Sequence, residues 1–145
     1  MPDALQELLD RQAIVDLTIA YGWILDHGPR EDLRNVFTED AVAIYVGRTF
    51  EGVDSIISKV DQSLGRLSIS QHLVSNQQVD IDGDSAKCRC YLQAQHTLHG
   101  TEGGDNFIMA GRYEDDVVRT PSGWRISRRE LIIDWTEGNR RVTKP

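Results

Sequence analysis

The feature that most constrains the fold of this chain is its second half, where strand-like stretches alternate with tight-turn sequences. Turn sequences at Asp82-Gly83, at 100–104 and at 120–123 divide this half into four stretches. Asp-Gly and glycine-rich turns typically join neighbouring antiparallel strands. The pattern therefore predicts an antiparallel meander of four strands, at 67–81, 86–98, 106–119 and 124–135.

The first half of the chain is mainly helical. Apolar residues recur at three- and four-residue steps over about 3–26, as on the buried face of an amphipathic helix, and Gly28-Pro29 ends this stretch. Asp54 stands at the start of a later helix and is a candidate for its N-terminal cap. Between and around these points the sequence predicts a short helix at 31–37, a strand at 41–46, a short partner strand at 49–50 and a third helix that runs to about Ser63.

Helices followed by a strand meander are typical of the α+β class. We expect one domain over residues 1–145, built as a cone-shaped, curved antiparallel sheet with the N-terminal helices packed on its concave face. A chain of 145 residues is long enough to bury a core without disulfides or metals. The concave face would enclose a mostly apolar cavity, which is the kind of site that small molecules occupy.

The charge of the chain disfavours polyanionic partners. Sixteen basic and 23 acidic residues give a formal net charge of −7, whereas a nucleic-acid or anionic membrane surface needs a basic stripe. The basic cluster of Arg125, Arg128 and Arg129 is interrupted by apolar residues, and we interpret it as the polar side of a strand. Without a membrane-spanning apolar stretch or a basic, apolar leader, the expectation is a cytoplasmic protein that contacts neither nucleic acid nor membrane.

Neither a disulfide nor a metal site is expected. Cys88 and Cys90 lie two residues apart on one predicted strand, which is too close for an easy disulfide, and no second pair is present for zinc. We interpret both as small core residues. His99 has the opposite strand parity to His96 and stands beside a turn, so these histidines and cysteines do not converge on one point.

His96 occupies an unusual place for an imidazole. In the strand predicted at 86–98, the even positions form an apolar face that His96 alone interrupts. A buried imidazole needs a hydrogen-bond partner. His96 is therefore either a core histidine satisfied by a backbone carbonyl or a member of a catalytic site. The other members of its face are Cys88, Cys90, Leu92, Ala94 and Leu98.

The element order and the last two strands resemble a known superfamily. The segments Gly111-Arg112-Tyr113-Glu114-Asp115, Gly123-Trp124-Arg125-Ile126 and Asp134-Trp135 are similar to the SnoaL-like branch of the nuclear transport factor two-like superfamily, and the likeness extends over nearly the whole chain. Within that branch, the motifs are most similar to the scytalone dehydratase, hexachlorocyclohexane dehydrochlorinase and bile-acid dehydratase group. The resemblance implies the cone fold and a homo-oligomer, a trimer or dimer, formed through the exposed sheet face.

The resemblance also implies a set of site residues. Asp26 matches the aspartate at the end of the first helix in that group, and His72 matches the histidine at the start of the first long strand. His96 and Tyr45 match the second histidine and a tyrosine of scytalone dehydratase, while Tyr21 matches a tyrosine of bile-acid dehydratase. The first four form the expected catalytic set, and Tyr21 is an expected substrate contact.

The chain departs from the scytalone dehydratase pattern at three positions. Leu25 stands where that enzyme has a tyrosine, and Ile108 and Ala110 stand near its substrate-holding serine and asparagine. Scytalone is therefore not the expected substrate. Large apolar side chains on the cavity wall would favour an apolar, ring-containing molecule, and the candidates, besides Tyr21, are Trp23, Phe107, Met109 and Trp135.

An Asp–His pair is a compact device for removing a proton. The carboxylate orients the ring and stabilises the imidazolium, the second ring nitrogen takes the proton, and a tyrosine or second histidine assists the leaving group. Such a set suits elimination, dehydration or isomerisation without metal or organic cofactor. From the residues alone, Asp26 is equally explained as an exposed helix end, the facing of His72 is ambiguous, and Tyr21 and Tyr45 are equally explained as core aromatics.

Three functions remain open at this point. The leading expectation is a cofactor-independent lyase or isomerase that acts on a hydrophobic cyclic molecule. The alternatives are a non-catalytic small-molecule binding protein and a structural subunit similar to the β subunits of ring-hydroxylating dioxygenases. An epoxide hydrolase of this fold would need two strand carboxylates around an arginine, and Arg112 with Asp134 supplies only one of them.

Overall fold

The computed structural model describes residues 3–144. Two α-helices, two short 3₁₀ helices and six strands make up this part of the chain. Their bounds are α1 (Ala4–His27), a 3₁₀ helix (Arg30–Asn35), β1 (Phe37–Tyr45), β2 (Arg48–Glu51), α2 (Val53–Leu64), β3 (Ile69–Asp82), β4 (Ser85–Thr97), β5 (Asn106–Thr120), β6 (Gly123–Gly138) and a second 3₁₀ helix (Arg140–Val142).

Local sequence signals explain where α1 begins and ends. The Asp3 carboxylate accepts a hydrogen bond from the backbone N–H of Gln6 at 2.6 Å and so caps the first turn. At the other end Gly28 adopts φ 61°, a conformation that glycine takes without steric cost, and Pro29 cannot continue the helix. The predicted first helix is therefore present, and its buried face lies against the sheet.

The four-strand meander is present as predicted. β3, β4, β5 and β6 pair in sequence order, each antiparallel to the next. The first turn differs by one residue from the prediction, because Asp82 pairs with Ser85 and the two-residue loop is Gly83-Asp84. Gly83 takes φ 63° at the first loop position, where two-residue hairpins favour glycine.

The sheet is completed by a connection that the meander pattern did not predict. β1 pairs antiparallel with β2 on one side and parallel with β6 on the other, so the strand order is β2-β1-β6-β5-β4-β3. The expectation of an antiparallel sheet is thus corrected for one pair of strands. The helices lie against the six-stranded, curled and unclosed sheet, which confirms the α+β cone.

Irregularities in strand pairing allow the long strands to bend around the cone. Register shifts occur between Ala110 and Gly111 on β5 and between Ser75 and Gln78 on β3. At the first of these, strands β5 and β6 approach so closely that a Cβ on residue 111 would overlap the backbone oxygen of Ile132. The glycine is therefore required by this bend.

Two local predictions are wrong. The short helix ends at Asn35, and Phe37 starts β1 instead, because its ring is buried edge-on against Tyr21. Asp54 does not cap α2, whose N-cap is Gly52 without a side-chain hydrogen bond. Asp54 lies in the first turn of α2 and accepts a hydrogen bond from the Arg34 guanidinium at 2.7 Å.

A buried carboxylate ties the start of α1 to the far end of the sheet. Asp10 accepts two hydrogen bonds from Arg119, at 2.9 and 2.8 Å, and a third from the Trp124 indole at 3.0 Å. These contacts lower the pKa of Asp10.

Neither α1 nor α2, the two α-helices of the described residues, is long and apolar enough to cross a membrane.

Candidate active site

A cavity of about 380 Å³ lies between the helices and the concave face of the sheet. Its inner wall carries both histidines of interest, His72 from β3 and His96 from β4. Aromatic and aliphatic side chains form most of the remaining wall, among them Tyr21, Leu25, Tyr45, Phe107, Met109 and Leu131. Such an apolar space with a few convergent polar groups is typical of small-molecule sites.

His72 lines this cavity, and Asp26 contacts the His72 ring without being part of the lining. The His72 ring nitrogen Nδ1 lies 2.7 Å from Asp26 Oδ1, and the His72 backbone N–H donates to Asp26 Oδ2 at 2.8 Å. The Ser70 hydroxyl donates to Oδ1 at 2.9 Å. The His72 and Asp26 side chains are only 5% and 8% exposed. The structure thus brings together the pair that the resemblance implies.

The position of Asp26 makes its hydrogen bonds necessary. It lies in the last turn of α1, where the helix dipole disfavours a negative charge. Burial also raises its pKa, but the hydrogen bonds from the His72 ring and backbone outweigh burial, so the net pKa of Asp26 is lowered. An ionised Asp26 can only accept hydrogen bonds. Nδ1 of His72 therefore carries a proton, and Nε2 is the nitrogen left for the cavity.

The pairing of β3 with β4 shows on which face of the sheet the His72 side chain lies. His72 pairs with Ala94 and Ser70 pairs with His96, and both β4 partners belong to the buried face of that strand. Paired residues on neighbouring strands point to the same side of a sheet. Ser70 could have been predicted as a dyad partner, because it stands two residues before His72 and so shares its face.

His96 is buried beside the dyad. Its ring centroid lies 6.1 Å from that of His72, and its Nδ1 contacts the Phe107 carbonyl oxygen at 3.2 Å. A carbonyl oxygen only accepts, so Nδ1 of His96 carries the proton of the neutral ring. Burial lowers the pKa of His96, and the charge of a protonated His72 lowers it further. His96 is thus satisfied by a backbone carbonyl, as the first alternative predicts, and it also lines the cavity; its membership of a catalytic site stays a prediction.

Tyr21 and Tyr45 form a hydrogen-bonded pair on the cavity wall. Their hydroxyl oxygens are 2.8 Å apart, and both residues line the cavity. Burial raises the pKa of both phenols. They are therefore neutral hydroxyls; one donates to the other within the pair, which leaves one O–H proton free to donate elsewhere.

The Arg129 side chain packs against Tyr21 of this pair, a contact that the sequence did not predict. Its side chain is fully buried, in contrast to the interpretation of this segment as the polar side of a strand. The guanidinium donates to both Asp115 oxygens, at 2.8 and 2.7 Å, and stacks between the Tyr21 and Tyr113 rings at 4.3 and 4.0 Å from their centroids. Burial opposes the charge of Arg129, but Asp115 outweighs it and raises the pKa of the guanidinium.

The remaining predicted substrate contacts divide into two groups. Phe107 and Met109 line the cavity. Trp23 is 66% exposed on α1 and Trp135 is 46% exposed on β6, and neither reaches the cavity. Trp135 pairs with Ala110, on the outward side of the sheet. The prediction that Trp23 and Trp135 line the cavity is therefore wrong.

The residues predicted to lie outside the site do so. His99 is 67% exposed beside the turn after β4. Cys88 and Cys90 are buried and free, and burial raises the pKa of each thiol, to about 12 and about 11. Over residues 3–144, histidine, cysteine and carboxylate side chains form no group of three or more that could hold a metal ion.

Comparison of the sequence with known proteins identifies relatives over most of its length. Residues 6–130 match the SnoaL-like domain. An uncharacterised protein of Mycobacterium tuberculosis is 35% identical over 128 residues, covering 85% of this chain and 84% of the relative. Terrestric acid biosynthesis cluster protein E of Penicillium crustosum is 30% identical over 139 residues, covering 91% and 88%.

Solved structures share the whole architecture. A Kribbella flavida protein superposes with a TM-score of 0.89 at 26% identity, covering 96% of this chain and 99% of its own. A Novosphingobium aromaticivorans protein proposed to be a scytalone dehydratase gives 0.81 at 26% identity, covering 90% and 88%. Hexachlorocyclohexane dehydrochlorinase of Novosphingobium barchaimii gives 0.82 at 19% identity, covering 93% of each chain, and shares the fold.

These matches confirm the resemblance drawn from the terminal strands and the site residues. The family match alone spans most of the chain, and the curated relatives are covered over most of their own length. The chain belongs to the family of SnoaL-like domain proteins.

Proposed function

We propose that this protein is a cofactor-independent lyase or isomerase in which His72 removes a proton from a hydrophobic cyclic substrate. The observation that carries the proposal is the 2.7 Å contact between His72 Nδ1 and a buried, ionised Asp26 at an apolar cavity. The carboxylate holds the ring in the tautomer whose Nε2 lone pair is free, and it stabilises the imidazolium once the proton is taken.

His72 is a better base than His96. The charge of an imidazolium at position 72 is balanced by Asp26 in direct contact. His96 has a neutral carbonyl as its partner, and burial together with His72 disfavours its charged form. His96 Nε2 is then a hydrogen-bond acceptor, which suits a substrate hydroxyl and not, in the neutral state, donation to a leaving group.

One hydroxyl of the Tyr21–Tyr45 pair takes the donor role, because the other donates within the pair. In an elimination, the C–H bond breaks toward His72, a double bond forms, and the leaving oxygen or halide departs with the electron pair of its bond to carbon. A neutral phenol donates a hydrogen bond to that group as its negative charge develops. The nearby Arg129 cation favours the same negative charge, because it stacks on Tyr21 in a region without solvent.

The structural likeness to a protein proposed to be a scytalone dehydratase supports dehydration as the reaction class. The substrate is expected to differ from that of such an enzyme. The alternating side chains Phe107 and Met109 face the cavity, whereas Ile108 and Ala110 do not line it. The β5 wall therefore offers apolar contact and no side-chain hydrogen bond in this stretch.

The test is a panel of cyclic ketones that carry a hydroxyl or chloride β to the carbonyl, incubated with the protein in deuterated buffer. Mass spectrometry follows loss of water or hydrogen chloride and uptake of deuterium at carbon. For the substrate that reacts, His72→Ala is expected to abolish turnover, and Asp26→Asn to reduce kcat by about 10²–10⁴-fold.

His99→Ala is the matched control. It removes an exposed histidine whose backbone N–H donates to the Ser68 hydroxyl, next to the start of β3. It should leave turnover unchanged, and circular dichroism should show all three variants folded. Turnover that survives His72→Ala in a folded protein would refute His72 as the base. Binding of panel members without elimination or exchange would support a binding protein instead.

We also propose that the outer sheet face pairs with a second copy of the chain. Leu73, Tyr91 and Trp135 are 57%, 57% and 46% exposed on this face. Arg112 and Asp134 lie beside them, so two copies can oppose unlike charges. Light scattering should give a mass of two or three chains for the wild type and of one chain for Tyr91→Glu. A monomeric wild type would contradict this proposal without affecting the proposed chemistry.

A further inference from the structure

The cavity is charged at one end only. Its polar groups at the closed end are the imidazoles and phenols described above. Its open end is lined by three cations from separate elements: Lys59 of α2, and Arg140 and Lys144 after β6. Arg140 and Lys144 are exposed, and Lys59 is partly buried. We refer to these three residues as the cationic rim.

Carboxylates are absent from the described lining of this cavity, although 23 of the 145 residues are acidic. Among the described residues, none of the three rim cations lies within 4.0 Å of a carboxylate. Many other cations do have such a partner: Arg11, Arg30, Arg34, Lys87, Arg112, Arg119, Arg128, Arg129 and Arg141. The described lining of this cavity therefore carries three cations and no carboxylate, on a protein whose formal net charge is −7.

The Phe50 ring lies near Lys59 and favours its charge, whereas burial and a nearby like charge oppose it. The Lys59 ammonium lies 5.6 Å from the centroid of the Phe50 ring, and the Arg48 guanidinium lies at the same distance from that ring. Burial lowers the pKa of Lys59, and the like charge of Arg48 lowers it further. An anion at the rim would offset the effects of burial and of Arg48, because it would place a negative charge beside the Lys59 ammonium.

We propose that the cationic rim binds an acidic group, a carboxylate or a phosphate ester, on a ligand whose apolar ring system fills the cavity. This proposal names a substrate class for the proposed function. It rests on that function, because it takes the bound ligand to be the substrate. The apolar body would lie against Phe107 and Met109, near the imidazoles, and the acidic end would project to Lys59 and Arg140.

The test measures binding and needs no turnover. The probes are 4-(2-naphthyl)butanoate, the corresponding primary amide, and 3-(2-naphthyl)propyl phosphate, titrated by calorimetry at pH 8.5 in about 20 mM salt. At this pH the acid probes are ionised and imidazoles contribute little charge. Two cations in a partly solvated site should favour each acid over the amide by about tenfold or more. The carboxylate and phosphate arms distinguish the two acidic groups.

The expected result is that Lys59→Met and Arg140→Gln each reduce the preference for the acid several-fold, while affinity for the amide stays within about twofold. Arg89→Gln is the control, since it removes an unpaired cation from the opposite face of the sheet. Added salt of about 0.3 M should weaken binding of the acids and not of the amide.

Two outcomes would overturn the proposal. One is equal affinity of the wild type for the amide and both acids. The other is an acid preference that persists in the folded double variant Lys59→Met with Arg140→Gln. Neither outcome bears on the base, because His72→Ala should lose turnover while it keeps the acid preference. Failure of the cationic rim and failure of the proposed elimination are therefore measured separately.

Discussion

Replacement of Asp115 by asparagine is expected to destabilise this protein by about 3–5 kcal/mol. Asp115 and Arg129 have fully buried side chains and pair through two short hydrogen bonds between β5 and β6. The change would leave the guanidinium charged and without a counterion, and its Nη1 already lacks a hydrogen-bond partner in the described structure. Stacking on Tyr21 and Tyr113 is already present in the wild type, so it does not offset this loss.

The partner variant Arg129→Met should behave differently with pH. Burial raises the pKa of Asp115, and without Arg129 this pKa should rise further, above that of an unfolded aspartate. Such a group contributes stability below its unfolded pKa and loses it as the pH rises through the folded pKa. The variant should therefore gain stability as the pH falls from 7 to 5. The double variant Arg129→Met with Asp115→Asn should be more stable than Asp115→Asn alone, because no buried charge remains.

Urea unfolding followed by circular dichroism and tryptophan fluorescence measures these differences. The control is Asp134→Asn, which breaks the half-exposed 3.5 Å pair with Arg112 and should cost less than about 1 kcal/mol. An Asp115→Asn variant that loses less than about 1 kcal/mol would refute the reasoning. A double variant that is less stable than Asp115→Asn would refute it as well. The expected loss is at least about a fifth of a typical total stability of about 5–15 kcal/mol.

Three further predictions concern single groups. Nitrogen-15 NMR at pH 7 should show His96 as the neutral Nδ1–H tautomer, with a titration midpoint below 6.5 because burial lowers its pKa; a ring that is charged at pH 7 would contradict this. Asp10→Asn should lower stability at pH 7, and the difference from the wild type should shrink as the pH falls below about 3.8, because a group with a lowered pKa contributes its full stability above the unfolded value and loses it as the pH falls through the folded pKa; a difference that stays constant with pH in urea titrations would exclude the ion pair with Arg119 as its source. Gly111→Ala should cost about 2–3 kcal/mol, since its Cβ meets backbone, and a thermal midpoint within about 2 °C of the wild type would show that the strands can move apart.

The chemistry proposed for the cavity depends on residues that come from distant parts of the chain. Asp26 ends α1, His72 lies on β3, and Tyr45 ends β1. Their side chains converge because α1 crosses the concave face against β3 and β1 joins the sheet beside β6. Substrate selection would come from other elements again, namely β5 and the segment after β6.

The sequence by itself determined the local features. Turn residues and period-two alternation located the four meander strands, because both signals depend on neighbours within a few residues. The burial of alternate residues along β4 follows the predicted apolar face, including His96. The terminal-strand motifs were sufficient to identify the family, which in turn directed attention to Asp26 and His72.

Only the tertiary structure decided the features that depend on register. β3 is partly exposed on both faces, so its alternation could not orient His72, whereas its pairing with Ala94 does. Arg129 is buried because β5–β6 register sets it opposite Asp115, and a charged residue in a polar-looking run gives no local sign of such a partner. The exposure of Trp23 likewise follows from which face of α1 lies against the sheet. Periodicity records which side chains share a face, and long-range pairing decides what that face meets.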